Sequence, residues 1–264
     1  MTVIGGLIPP LLVPAAAGSH VGSADIDLCL SVAITRGDTQ EYYKSIQKLI
    51  EPYFEPVPGN SFRWQKKDGA PGRLLLVDFL GPESDHDTTT VDGTRLLEDE
   101  VAAANAGPAL RPFALRAGEL IDVDAETSIL EGVELLYHEG RADVDVRHSG
   151  PVGFLTAKAF AFAGRSDSKD GYDVSWWCLN AAKTPKEVAQ LVMARPAFKH
   201  DDFQDAVYFL KRTFREPDYP GPMGYAIESF PGLRRGDDEF DRAANAAYAA
   251  VAAVVEELHA NLFS

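Results

Sequence analysis

The segment Gly22-Ser23-Ala24-Asp25-Ile26-Asp27 holds the residues whose types and spacing best suit chemistry. Two carboxylates two positions apart on a strand point to the same face, roughly 7 Å apart at their Cα atoms. Hard divalent cations take oxygen ligands in a tight cluster, and Mg²⁺ usually takes one or two carboxylates together with substrate phosphates. Gly22 and Ser23 offer backbone N–H groups and a hydroxyl to a phosphate oxygen, with glycine allowing close approach. A third carboxylate is expected from a neighbouring strand, and Asp78 suits it. It interrupts the apolar run Val77-Asp78-Phe79-Leu80, where a charge without a partner is costly. Three carboxylates around a substrate phosphate are the parts of two-metal phosphoryl or nucleotidyl transfer.

An Asp-x-Asp alone is weak evidence, since the chain also has Asp122/Asp124 and Asp143/Asp145. Those two pairs lack the Gly-Ser lead-in and adjoin other charges, so they read as solvated faces. The first pair stands in residues 25–32, where Ile26, Leu28, Leu30 and Val32 alternate with Asp25, Asp27, Cys29 and Ser31. That period of two predicts a strand with one strongly buried face.

Around this strand the elements follow from local pattern. Val3 and Ile4 lead into Gly5-Gly6, a short strand entering a tight turn. Asp38 and Glu41 have capping-box spacing ahead of a helix striped by Tyr42, Tyr43, Ile46, Leu49 and Ile50 and ended near Pro52. Strands are expected at 62–65 and 73–80, the latter closed by Gly81-Pro82. Residues 83–110 read as loop and short helix, and 112–123 and 142–147 as strand-like. From 151 the pattern becomes helical, at 152–165, 169–181, 185–194, 201–214 and 238–262. In the last, Phe240, Ala244, Ala247, Val251, Val254, Leu258 and Leu262 form a core stripe. The expectation is an α/β (α+β) chain: a mixed sheet flanked by helices over 1–150, then a helical region over 151–264 packed on it.

With 264 residues, 45% of them apolar and 25% charged, the chain has ordinary globular composition. Its net charge of −15 argues against a general nucleic-acid coat, because phosphate binding draws on clustered Lys and Arg. Cys29 and Cys178 lie in apolar surroundings and read as reduced core residues. The first 21 residues resemble a secretion signal only superficially: no Lys or Arg precedes Arg36, and Pro9, Pro10 and Pro14 break the apolar run. The apolar run at 246–255 is about half of what a bilayer needs. A cytoplasmic protein with no membrane partner is expected.

Several segments together resemble one family. They are Gly5-Gly6, Gly22 to Leu28, Val77-Asp78-Phe79-Leu80, the stretch from Lys158 to Arg165, and Lys169-Asp170-Gly171-Tyr172-Asp173. Over residues 3 to about 180 the chain is similar to the AbiEii/AbiGii toxin-type nucleotidyltransferases (MenT-like) of the polymerase-beta-like superfamily. The resemblance implies a nucleotidyltransferase-type sheet and transfer of a nucleoside monophosphate from an NTP to an acceptor hydroxyl. The acceptor it implies is RNA, at a tRNA 3′ end, or alternatively a protein hydroxyl. It also implies a cognate antitoxin protein as partner. Carried over, it makes Asp25, Asp27 and Asp78 ligands of two Mg²⁺ ions, with Mn²⁺ as the alternative metal. Asp78 would also help deprotonate the hydroxyl. Gly22 and Ser23 would hold the triphosphate, Lys158 and Arg165 would meet phosphate, and Lys169, Asp170 and Asp173 would form a second cluster at the site edge. One departure stands out, since the gap from Gly6 to Asp25 is longer than the superfamily pattern, with residues 14–18 as extra.

Other readings stay open at this level. Lys158 and Arg165, at i and i+7 on one helix, also suit a solvated basic face. Lys169 and Asp170 suit ordinary helix-start chemistry after Ser166-Asp167-Ser168. Tyr172, Trp176 and Trp177 read as core. The bases Arg195, Lys199, His200, Lys211, Arg212, Arg215, Arg234 and Arg235 gather in the helical half, where an RNA could bind. Rival functions are a metal-dependent glycosyltransferase using Asp-x-Asp, and a catalytically degenerate binding module.

Overall fold

A computed structural model of the chain describes residues 1–16, 18–30, 39–67, 74–83, 88–91, 94–97, 110–135, 140–165 and 167–263. The expected mixed α/β architecture is what it shows. Among the described residues ten strands form one sheet: β1 (Thr2–Ile4), β2 (Asp25–Cys29), β3 (Phe54–Pro56), β4 (Arg63–Lys66), β5 (Leu76–Pro82), β6 (Thr88–Val91), β7 (Thr94–Leu97), β8 (Phe113–Leu115), β9 (Glu126–Glu134) and β10 (Arg141–His148). Across it they run β6-β7-β8-β5-β2-β1-β10-β9, with the β3–β4 hairpin joined to β5 through β4. In the middle, β2 is antiparallel to β1 and parallel to β5.

Alternation in β2 sorts its side chains as the period of two requires. Ile26 and Leu28 pack with Leu30, Trp64, Val77 and Phe79 against Tyr43 and Ile46 of α2 (Thr39–Ile50). Cys29 faces the other way, into a cluster with Ile4, Ile121 and Ala157. Asp25 and Asp27 share that second face.

Helices α3 (Gly118–Val123), α4 (Pro151–Arg165), α5 (Ser168–Asn180), α6 (Pro185–Met193), α7 (Asp201–Thr213), α8 (Pro220–Ser229) and α9 (Asp238–Leu262) cover this face and extend beyond it. Every residue of α4 from Pro151 to Ala159 is buried, as an apolar helix between a sheet and other helices must be. The largest core cluster gathers Phe154, Trp177, Val188, Phe203, Val251 and Leu258, and Ile8 belongs to it. The apolar N-terminal run is therefore core, beginning with α1 (Ile8–Leu12), in which Pro9 and Pro10 occupy the first turn where no N–H is needed.

Several local expectations change. Residues 112–123 hold only the short β8 before turning into α3, whose Leu120 and Ile121 are fully buried. A short apolar run does not itself distinguish strand from helix. Gly81-Pro82 does not close β5 but continues it, pairing with Ala114 and Leu115. Within 83–110, read as loop and short helix, two short strands form: β6, Thr-Thr-Thr-Val, in keeping with β-branched preference, and β7, which pairs with it. The expected cap at Asp38 and the strand positions Ser31 and Val32 lie outside the described residues. Helix α8 lies outside the expected helical segments; it contains Pro220, Gly221, Pro222 and Gly224, residue types that break isolated helices. Its glycines serve close packing on α5, since a Cβ at Gly224 would stand 2.5 Å from the Ser168 carbonyl oxygen.

Candidate active site

Parallel pairing of β2 with β5 sets Asp27 directly opposite Asp78, and Asp25 shares the face of Asp27 two residues earlier. Asp25, Asp27 and Asp78 each offer an oxygen, and these oxygens all lie within 4.8 Å of one another. Antiparallel pairing of β1 brings Ile4 opposite Asp27, so the turn that follows β1 runs beneath the carboxylates. That turn needs glycine twice over. Gly5 has φ +76°, and a Cβ there would lie 1.9 Å from Asp27 Oδ2. A Cβ on Gly6 would lie 2.9 Å from the Ser23 hydroxyl.

Ser23 donates its hydroxyl to Asp25 Oδ1 at 2.8 Å, which orients the first carboxylate. On the far side stands Arg63, which sits opposite Asp78 in the β4–β5 ladder. Its Nε donates to Asp78 Oδ1 at 2.7 Å and its Nη2 to Oδ2 at 2.5 Å, a fork-on-carboxylate pair. The same Nη2 lies 3.6 Å from Asp25 Oδ2. Burial pushes the Asp27 carboxyl up to about 7, helped by the charge of Asp25 and opposed by that of Lys158.

A second ionic cluster adjoins the first. Lys158 of α4 is 5% exposed, with Nζ 2.9 Å from Asp170 Oδ1 and 2.7 Å from Asp173 Oδ2. Arg165, two turns on, forks onto both oxygens of Asp170 at 2.9 Å, and Lys169 pairs with Asp173. Burial works against the Lys158 ammonium, but Asp173 and Asp170 outweigh it and hold its pKa above the ordinary lysine value. For Asp173 burial likewise opposes charge, and the His20 hydrogen bond with Lys158 and Lys169 leaves the carboxyl below the usual range.

His20 ties the two clusters together. Its Nδ1 accepts from the Gly22 N–H at 3.0 Å, so Nε2 carries the hydrogen and donates to Asp173 Oδ1 at 2.9 Å. The Tyr172 hydroxyl accepts from the Val21 N–H at 3.0 Å. The ring sits beside Tyr172 and Trp176, with centroids 5.1 and 5.0 Å away. The long stretch between Gly6 and Asp25 is thereby pinned to α5.

The ten site residues carried over from sequence, Asp173 in the second group among them, thus lie in two neighbouring groups. Asp25, Asp27 and Asp78 converge, with Gly22 and Ser23 leading in; the Gly22 amide, expected to face phosphate, is given to His20. Lys158, Arg165, Lys169 and Asp170 form the second group. Lys158 is no solvated basic face, whereas the Arg165 side chain is 59% exposed. Lys169 does stand at a helix start, its N–H donating to the Asp167 carboxylate at 3.0 Å. Tyr172, Trp176 and Trp177 are core, as read.

A cleft of about 850 Å³ runs from Asp27, Lys158 and Arg165 to Phe113, Phe160 and Phe209, where the Arg116 guanidinium lies 4.2 Å above the Phe160 ring.

The other Asp pairs divide. Asp143 and Asp145 are exposed on β10, as expected. Asp124 is fully buried, contrary to its reading as a solvated face. It accepts from the Gly153 N–H and from Arg195, because it caps α4 rather than facing water. The gathered bases are likewise partly spoken for: Arg195 pairs with Asp124 and Glu126, and Arg235 with Asp218. Sequence reasoning missed Arg63 and His20. No spacing signal marks Arg63, since its partner is fixed by hairpin register.

An oxygen-only set of three mutually repelling carboxylates, one pushed up to about 7, fits a hard divalent cation that would relieve the repulsion. No helix among the described residues is long and apolar enough to cross a membrane. No family model matches the chain, and no curated protein matches it. Among solved structures the chain is similar to an antigenic nucleotidyltransferase-like protein from Paracoccidioides brasiliensis. The two are 16% identical over 82% of this chain and 80% of that one, with a TM-score of 0.40. That likeness is too distant to bear on function, which has to be read from the side chains.

Proposed function

We propose that the chain is a divalent-cation-dependent nucleotidyltransferase that moves a nucleoside monophosphate from an NTP to an acceptor hydroxyl. The observation that supports it is the convergence of Asp25, Asp27 and Asp78 from two adjacent parallel strands onto one face, beside Ser23. The three carboxylates would hold two Mg²⁺ ions, or Mn²⁺. Bound there, such ions lower the pKa of the attacking hydroxyl and neutralise charge on the leaving phosphates.

The chain's own residues then position the reactants. The hydroxyl oxygen bonds to the α-phosphorus as the bond to the bridging pyrophosphate oxygen breaks. The hydroxyl proton passes to a carboxylate, for which the family resemblance favours Asp78, held in plane by Arg63. The exposed guanidinium of Arg165 is the donor best placed for phosphate oxygens, and the Ser23 hydroxyl would join it by giving up its hydrogen bond to Asp25. The cleft beyond them, apolar and aromatic at its far end, suits the rest of the nucleotide. The resemblance further supports a tRNA 3′ end as acceptor, with a protein hydroxyl as the alternative, and a toxin role countered by a cognate antitoxin.

A second reading, a degenerate nucleotide-binding module, is favoured by two engaged groups: Arg63 occupies both oxygens of Asp78, and Lys158 is fully paired inside. A glycosyltransferase accounts for neither Ser23 nor the convergence of Asp78.

The test is incubation with each α-labelled NTP, Mg²⁺, and either total tRNA or total protein, with Asp25→Asn alongside. Labelled acceptor with pyrophosphate release, lost by at least roughly a hundredfold in the variant, is the expected result. Nucleotide binding with no pyrophosphate would instead favour the module.

A further inference from the structure

The site carries a cation of its own. Among the described residues, Arg63 is the group that takes both oxygens of a triad carboxylate, and its Nη2 also faces Asp25 Oδ2 at 3.6 Å. We propose that Arg63 is a built-in counter-ion of the carboxylate triad, which competes with a divalent cation for Asp78 and must yield part of its fork when the cation binds. The inference rests on the reading of Asp25, Asp27 and Asp78 as a cation site.

Two effects of Arg63 act in the same direction. A carboxylate has about four lone-pair positions, and the fork takes one on each oxygen of Asp78. A guanidinium this close also repels an arriving cation, and here little water intervenes, since the Asp78 side chain is only 8% exposed. Both lower the cation affinity. In return the fork keeps a buried carboxylate from standing uncompensated beside Asp25 and Asp27, where like charges crowd. Displacement is feasible because the Arg63 side chain is 35% exposed and can swing toward solvent without opening the core. Arg63 is thus a positioning residue that sets how readily the triad loads.

The experiment titrates the full chain with Mn²⁺ alone, by calorimetry, in four forms: wild type, Arg63→Gln, Arg63→Lys and Asp25→Asn. Arg63→Gln should bind Mn²⁺ roughly tenfold tighter than wild type, the equivalent of ~1.4 kcal/mol. Arg63→Lys keeps the charge but loses the fork and should fall between. Thermal melting guards against a variant that folds poorly. Cation-free Arg63→Gln should melt below wild type, and Mn²⁺ should raise its midpoint by more than it raises that of wild type. A merely structural arginine gives the lower melting without the tighter binding. If Asp25→Asn loses Mn²⁺ while both Arg63 variants bind it as wild type or more weakly, the counter-ion role is overturned and the cation site stands. If Asp25→Asn binds as wild type, or no form binds, the cation site itself is overturned and this inference with it.

Discussion

The environment of Asp27 sets a pH dependence with a definite sign. Burial beside Asp25 lifts its carboxyl from the usual value near 4 to about 7. The folded protein therefore holds that proton more tightly than the unfolded chain does. The stabilisation is fully present below about pH 4 and is lost as pH rises through about 7. A rise of that size corresponds to at most about 4 kcal/mol, and less in practice because water still reaches the half-buried Asp27. With a chelator present, Asp27→Asn should flatten this part of the profile and make the protein more stable at pH 8. Urea unfolding at pH 4.5 and pH 8 measures both; an unchanged pH loss in the variant would remove Asp27 as its source. At this scale the acids were legible because alternation in a strand dictates a shared face, and because Asp78 breaks an apolar run. Arg63 was not legible, since pairing across a hairpin is fixed by register that the chain around it does not spell out.

Between residue and fold stands the segment joining Gly6 to Asp25. From sequence it read as a gap longer than the superfamily pattern, with residues 14–18 as extra. Its first half is instead core, through Ile8, and its second half is a strap held by His20 and Val21 against α5. Nothing in the local pattern reveals this, because a single histidine gives no periodic signal and its partner Asp173 lies 153 residues away. The strap fixes the backbone that leads into Ser23 and Asp25. His20→Ala removes a buried hydrogen bond to a carboxylate, a change of roughly 2 kcal/mol, and frees the Gly22 amide. Amide exchange at Val21 and Gly22 should accelerate well beyond the global loss of stability, with Asp27 and its ladder partners staying protected. Uniform acceleration throughout the chain would show that the strap is no separate device. The same scale explains the missed α8: proline and glycine mark breaks when helices stand alone, but here Gly171 of α5 and Gly224 of α8 let the two helices touch.

For the whole molecule, the change from strand to helical periodicity near residue 150 suggests two units, and the contacts argue for one. Period reports local structure; cooperativity depends on which surfaces are buried together. Ile8 lies within the largest helical cluster, Asp124 is held by both Gly153 and Arg195, and His20 binds Asp173. Each of these ties crosses residue 150, and separating the halves would leave the buried Asp124 without its partners and take the His20 hydrogen bond from Asp173. We therefore expect a single unfolding transition. The three tryptophans allow it to be tested, because Trp64 lies in the cluster under α2 while Trp176 and Trp177 lie on α5. In a Trp64→Phe variant, fluorescence reports only the helical half, whereas far-ultraviolet circular dichroism reports all of the backbone. The two midpoints in urea should coincide. Distinct midpoints, with the fluorescence change the later one, would mean that the helices fold without the sheet. The three clustered acids would then sit on the less stable part of the chain, and the sheet would owe its order to the helices packed on it.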